Sequence, residues 1–173
     1  MASLVGRMIR AAKLDVGLYE EVEADTGATG QAMLVVVLSS VAAGIGSAGG
    51  GGLKGLLLGA LTALAAWYIW AFLTYFIGTR LLPESQTEAD VGQLLRTTGF
   101  SSSPGLLRIL GILPGLTGIV FLGCHVWMLV AMVIAVRQAL DYHGTGRAIT
   151  VCLIGWVVQV AITVLLMMFL GIR

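Results

Sequence analysis

The sequence predicts an all-α integral membrane protein: a five-span helical bundle with a short third span and an N-terminal amphipathic surface helix. Three observations carry that reading. Hydrophobic residues make up 58% of the 173-residue chain and charged residues 11%, with a mean hydropathy of +0.97, whereas a soluble domain carries about 45–50% apolar and about 25% charged residues. Charge-free stretches near the length that crosses a hydrocarbon core of about 30 Å, about 20 residues, recur along the chain from residue 27 onward. Basic residues stand near both ends, as Arg7, Arg10 and Lys13 and as Arg173, and otherwise favour alternate connections. The formal net charge of +1 has no clustered basic surface behind it, so no nucleic-acid partner is expected.

Residues 1–26 read as a cytoplasmic, amphipathic N-terminal segment. Leu4, Val5, Met8, Ile9, Ala12, Val16 and Tyr19 repeat at helical spacing with Arg7, Arg10 and Lys13 between them. That pattern predicts one helix over residues 4–19 lying on the membrane, with the three basic side chains contacting anionic headgroups. The charges also interrupt any run long enough for a cleaved signal peptide. Four acids then fall within residues 19–25. They could recruit a divalent cation, but without a glycine-spaced ligand loop a solvated helix end is the preferred reading.

Residues 27–173 read as one transmembrane domain with spans at about 31–48, 55–79, 100–113, 115–137 and 148–171. The third is the open one, because it starts on a Ser-rich turn and Pro104, contains Arg108 and stops at Pro114. Charge placement favours counting it. With five crossings and an inner N-terminus, the inner segments hold Arg7, Arg10, Lys13, Arg80, Arg96, Arg137 and Arg147, while the outer ones hold Lys54 and Arg173. Arg108 then snorkels from within the short span.

The first two spans carry small residues at four-residue spacing. Ser40, Gly44 and Ala48 form one row, and Gly55, Gly59 and Ala63 another, as expected of faces where backbones approach closely. The packing is expected to be mostly internal, since a short glycine-rich turn at 49–52 makes the two spans neighbours. Self-association or another membrane subunit is the alternative, and lipids are the remaining partners. Cys124 and Cys152 sit in apolar stretches and read as unpaired thiols.

Ionisable and amide groups inside a membrane are functional candidates. His125, Gln159 and Arg108 are therefore grouped as a possible intramembrane polar site, with Trp67, Trp70 and Trp127 either lining a cleft or facing lipid. A histidine bonded to a backbone carbonyl and a glutamine bonded across helices are the bland readings. No phosphate-binding glycine loop, zinc-spaced cysteine pair, His-Glu-x-x-His or Gly-x-Ser-x-Gly element occurs. Neither an enzyme nor a cofactor or metal is expected, although an axial haem-type ligand at His125 is a third, weaker reading.

The order of elements is similar to that of the Yip domain family. The likeness runs over nearly the whole chain and is most specific from Gly99-Phe-Ser-Ser-Ser-Pro104, through Trp127 and Val136-Arg-Gln-Ala-Leu-Asp-Tyr142, to Gly146-Arg-Ala148. The resemblance implies a five-span bundle with a cytoplasmic N-terminus. Eukaryotic members are linked to Rab GTPases and vesicle traffic. This chain has Gly99-Phe100 where those tend to have Gly-Tyr and lacks their Asp-Leu-Tyr-Gly-Pro motif, so it looks more like the prokaryotic branch, in the cell (inner) membrane. The function expected is a non-enzymatic membrane scaffold, adaptor or accessory subunit. The rival is a lipid or small-molecule conduit with a cavity near His125 and Gln159.

Overall fold

Apolar side chains cannot satisfy a backbone, so a chain this rich in them folds as helices, whose N–H and C=O groups pair within the segment. The computed structural model describes residues 3–47 and 51–170. Among them run α1 (Leu4–Ala12), α2 (Val16–Ala24), α3 (Thr29–Gly46), α4 (Gly52–Phe76), α5 (Val91–Phe100), α6 (Thr117–Ala139) and α7 (Thr145–Leu170). A π-helical turn, Ile77–Leu81, extends α4, and a 3-10 segment, Ser103–Ile112, follows α5. Ala48, the glycines at 49 and 50, and Arg173 lie outside the described residues.

The N-terminal segment is two helices rather than one. Leu14 takes a left-handed φ of 61°, and Asp15 starts α2 by accepting the Gly17 N–H at 3.0 Å. Ser3 caps α1 in the same way through the Gly6 N–H. The reversal lays α1 against α2 and converts the expected basic and acidic stretches into partners. Arg7 is 5% exposed; it donates to Glu21 at 2.9 Å, Asp25 at 2.7 Å and the Gln31 side-chain oxygen at 3.1 Å. Arg10 bonds Asp15 at 2.7 Å and also Glu21. Of the three side chains expected to contact headgroups, only Lys13 is left exposed, and the acids are held rather than merely solvated. The apolar residues Val5 and Ile9 of α1 remain exposed.

Among the described residues four helical stretches are long and apolar enough to cross a membrane: Thr26–Gly46, Gly52–Leu81, Thr117–Ala139 and Thr145–Ile162. The expected third span is different in kind. Its ten-residue 3-10 segment extends about 20 Å at a rise of about 2.0 Å per residue. It nevertheless lies along α3, with Gly99 beside Ala32, Gly105 beside Ser39 and the Arg108 backbone beside Gly46. After Pro114 and Gly115, whose φ is +80°, α6 returns in the opposite sense, so that Phe121 meets Gly111, Met128 meets Gly105 and Met132 meets Ser101. The α3–α4 pair is antiparallel, with Leu56 against Gly44 and Gly59 near Ser40.

Close packing falls on other glycines than those singled out by spacing. A Cβ on Gly46 would overlap the Arg108 carbonyl, and one on Gly99 would stand 2.7 Å from the Ala32 Cβ. Gly55 has nothing within 4 Å of such an atom, Gly59 only the Ser40 hydroxyl at 3.7 Å, and Gly44 a movable Leu56 side chain. Ala63 faces a cavity described below. Since overpacking against rigid backbone costs about 1–3 kcal/mol or more, Gly46→Ala is expected to lower the thermal midpoint of the purified protein clearly. Gly55→Ala, in open space on a helix, is expected to leave it unchanged or slightly raised; equal losses would remove this account of the packing.

Candidate functional site

A cavity of about 350 Å³ opens between α3, α4, the 3-10 segment, α6 and α7. Ser39, Ser40 and Ala43 come from α3, Ala63, Trp67 and Trp70 from α4, and Met128 and Met132 from α6; Thr98, Ser102, Arg108 and Gln159 complete the polar part. Small side chains on the long helices create the space, because Ala43, Ala63 and Ala66 stop short of one another where leucines would meet. Arg108 enters from the Gly46 end. Its Nη2 donates to the Met128 sulfur at 3.2 Å, and its guanidinium carbon lies 5.8 Å from the centre of the Phe121 ring. The buried Arg108 Nε and the Trp67 Nε1 have no acceptor.

Two of the three residues grouped as an intramembrane site thus line one cavity, and the third does not. His125 is exposed on α6. Its Nδ1 bonds the Phe121 carbonyl one turn back, at 2.9 Å, and it borders a separate apolar groove with Trp70, Cys152 and Trp156. Of the tryptophans, Trp67 and Trp70 line the Arg108 cavity, while the Trp127 indole donates to the Ala12 carbonyl at 2.8 Å and ties α1 to α6. Both cysteines are free thiols. Among the described residues no three His, Cys, Asp or Glu side chains gather as a metal site.

A second polar region forms at the end of the bundle that carries α1 and α2. Arg96, 5% exposed, donates from Nε to the Val22 carbonyl at 2.9 Å and also bonds the Glu23 carbonyl, closing the end of α2. Asp90 and Gln93 make a reciprocal cap on α5, at 2.8 and 2.6 Å. The Tyr142 hydroxyl donates to the Leu82 and Gly78 carbonyls, at 2.8 and 3.2 Å, groups that the π turn leaves available. Leu140 presses on Gly78, Arg147 bonds the Pro83 carbonyl at 2.7 Å and pairs with Glu84 at 3.2 Å, and Gln138 donates to Glu20 at 3.0 Å. The stretch Val136–Tyr142 with Arg147 therefore fastens the end of α6 and the start of α7 to the turn that follows α4 and, through Gln138, to α2.

This stretch is also where the family likeness was most specific, and the family profile described as Yip1 domain matches residues 18–168. The chain belongs to the Yip1 domain family. The match begins within α2 and ends within α7, so it takes in the fastened cap, the 3-10 segment and the cavity alike. No curated protein and no solved structure matches. Membership makes this Yip1 domain chain a multi-pass membrane protein of a non-enzymatic family whose members typically interact with other proteins.

Spacing gave no sign that Arg96 closes α2, and for Trp67 it left a cleft and lipid both open, of which the structure gives the cleft; both outcomes depend on elements distant in the chain. One signal was available for Arg96, which follows the capping pair Asp90 and Gln93 and so had to sit on a helix in a polar end region. In the cap, burial and then the nearby Asp141 push the Glu23 carboxyl up to about 7. A carboxyl raised above its unfolded range destabilises the fold increasingly as pH climbs from the unfolded toward the folded value, and by a constant amount above it. Glu23→Gln is therefore expected to raise the thermal midpoint in detergent at pH 8 and to change it little near pH 4. A midpoint gain that is equal at both pH values would exclude this cause.

Proposed function

We propose that this Yip1 domain protein is a non-catalytic membrane scaffold or adaptor, in which a five-crossing bundle presents a rigid polar cap to a partner protein. The observation that carries the reading is the way the cap is fastened. Arg7, Arg96, Tyr142 and Arg147 each bridge separate segments, so α1, α2 and the connections at 82–90 and 140–144 form one fixed surface. Fixed surfaces lose little entropy on binding. Between them lies a polar groove bordered by Glu20, Gln86, Arg137, Asp141 and His143, which offers charges of both signs. The bundle's flanks, by contrast, expose Leu57, Leu61, Ile119, Leu122, Leu153 and Leu165, which suits lipid.

Five crossings accord with the segment 99–112 running the length of α3, and they set the cap, residues 82–90 and residues 140–144 on one side. In a Cys124→Ala, Cys152→Ala background, a membrane-impermeant maleimide is expected to label Lys13→Cys and His143→Cys from the same side. Labelling from opposite sides would reduce the count to four. The adaptor role is tested by placing a photo-crosslinking residue at Glu20 or His143 in native membranes. A discrete adduct with a membrane protein or a second copy is expected; a lone monomer without effect on bilayer shape would end the proposal.

A further inference from the structure

All nine Asp and Glu residues fall at 15–25, 84–90 or 141, which places every side-chain carboxylate at the cap end. Arg108 stands toward the other end, where its backbone meets Gly46. No carboxylate of the described residues reaches it, and what surrounds its guanidinium is a thioether sulfur, an aromatic ring and the nearby Cys124 thiol. Thioethers are weak acceptors, and a cation over a ring replaces only part of what hydration provides. A charged side chain left so in a membrane is costly unless something else supplies the counter-charge.

The same cavity holds a second donor in want of an acceptor. Trp67 is 8% exposed and its Nε1 has no partner, although a buried indole N–H usually finds one. Part of the wall beside these donors is apolar, from Val36, Ala43, Ala63 and Met132, and the rest carries the hydroxyls of Ser39, Ser40, Thr98 and Ser102. A volume of about 350 Å³ suits a headgroup and the start of one chain rather than a whole lipid. The cavity is not enclosed, so the remainder of a ligand can extend out of it.

We infer that this cavity is a binding site for an anionic glycerophospholipid, with Arg108 holding the phosphate, Trp67 donating to a more deeply placed oxygen such as an ester carbonyl, and the alanine-lined wall taking the start of an acyl chain. The phosphate supplies the counter-charge that the described residues do not. Neither donor alone selects a lipid, but a cation, a buried neutral donor and an apolar wall in one cavity match that order of groups along the molecule. The site stands independently of the adaptor reading, because the cavity and the cap share none of the residues that carry either argument.

The test uses the full chain, purified in mild detergent, delipidated, and titrated with phosphatidylglycerol or with phosphatidylcholine of the same acyl chains, bound lipid being read by native mass spectrometry. Phosphatidylglycerol is expected to be retained preferentially, and Arg108→Gln to weaken it about tenfold or more, the size of a lost charge-assisted hydrogen bond. Arg108→Lys is expected to keep part of the preference, and Trp67→Phe, which removes the N–H while keeping most of the ring volume, to weaken retention of both lipids. Lys54→Gln, an exposed cation outside the cavity, is expected to change nothing. Equal retention of the two lipids by the unmodified protein, or a preference that survives in Arg108→Gln, would overturn the assignment. So would displacement of phosphatidylglycerol by millimolar inorganic phosphate, which would make this a site for a free oxyanion. Should Arg108→Gln fail to fold, Arg108→Lys and Trp67→Phe still decide, since unchanged lipid selectivity and retention in both would overturn it as well.

Discussion

The backbone of residues 99–111 lies against α3 with almost nothing between them, and the bundle is arranged around that contact. Gly46, Gly99, Gly105 and Gly111 make it possible, since a Cβ at any of them would collide with a neighbouring chain. In a membrane, where apolar surface gains little by leaving lipid for protein, such approach is what packing has to offer. It holds a segment too short for an α-helical crossing along the face of one that is long enough. It also fixes where Pro114 and Gly115 turn the chain and hence where α6 returns. The cavity lies beside this contact, where Ala43, Ala63 and Ala66 leave space between α3 and α4.

Charge is divided between the two ends of the bundle in an unequal way. At the cap, carboxylates and guanidinium groups neutralise one another within the chain: Arg7 with Glu21 and Asp25, Arg10 with Asp15 and Glu21, Arg147 with Glu84. Hydrogen bonding to Arg10 holds Glu21, and hydrogen bonding to Arg7 holds Asp25, below the usual carboxylate range. That kind of stabilisation is present at neutral pH and fades as pH falls through the lowered values. At the far end no acid among the described residues reaches Arg108. Identical residue types thus do opposite work according to what the fold brings within reach, closing a structure at one end and leaving a demand for an anion at the other.

The distribution of rigidity follows. A cap held by buried arginines and by Tyr142 cannot rearrange locally without exposing paired groups, whereas the lateral faces offer only apolar side chains to their surroundings. A membrane protein that positions partners needs the first property, and one that lives among lipids needs the second. Neither requires catalytic chemistry, and the non-enzymatic character of the Yip1 domain family agrees with that arrangement.

The linear sequence by itself determined the all-helical membrane class and the four long apolar helices, and it marked residues 100–113 as a stretch of another kind. Each of those rests on local quantities: the length of charge-free runs, the mean hydropathy, and Pro104 and Pro114 around a stretch too short for an α-helical crossing. The near coincidence of the expected spans with α3, α4, α6 and α7 reflects how little tertiary packing can alter a helix whose alternative is an unpaired backbone in lipid. The family likeness carried by residues 99–148 was legible for a related reason, since those residues are contiguous.

What required the tertiary structure was every pairing across the chain. The left-handed Leu14 that divides the N-terminal helix gives no periodic signal, and only the resulting fold makes partners of Arg7 and Asp25. The four-residue spacing of Gly55 and Gly59 marks a smooth face but not what lies against it, and the same spacing at Gly46 and Gly50 does not announce that Gly46, with Gly99, carries the tight backbone contacts. Likewise Arg108 and Gln159 line one cavity while His125, equally polar in the sequence, turns back to its own helix. Spacing along a helix sets the direction of a side chain; which neighbour stands in that direction is decided by how the helices pack.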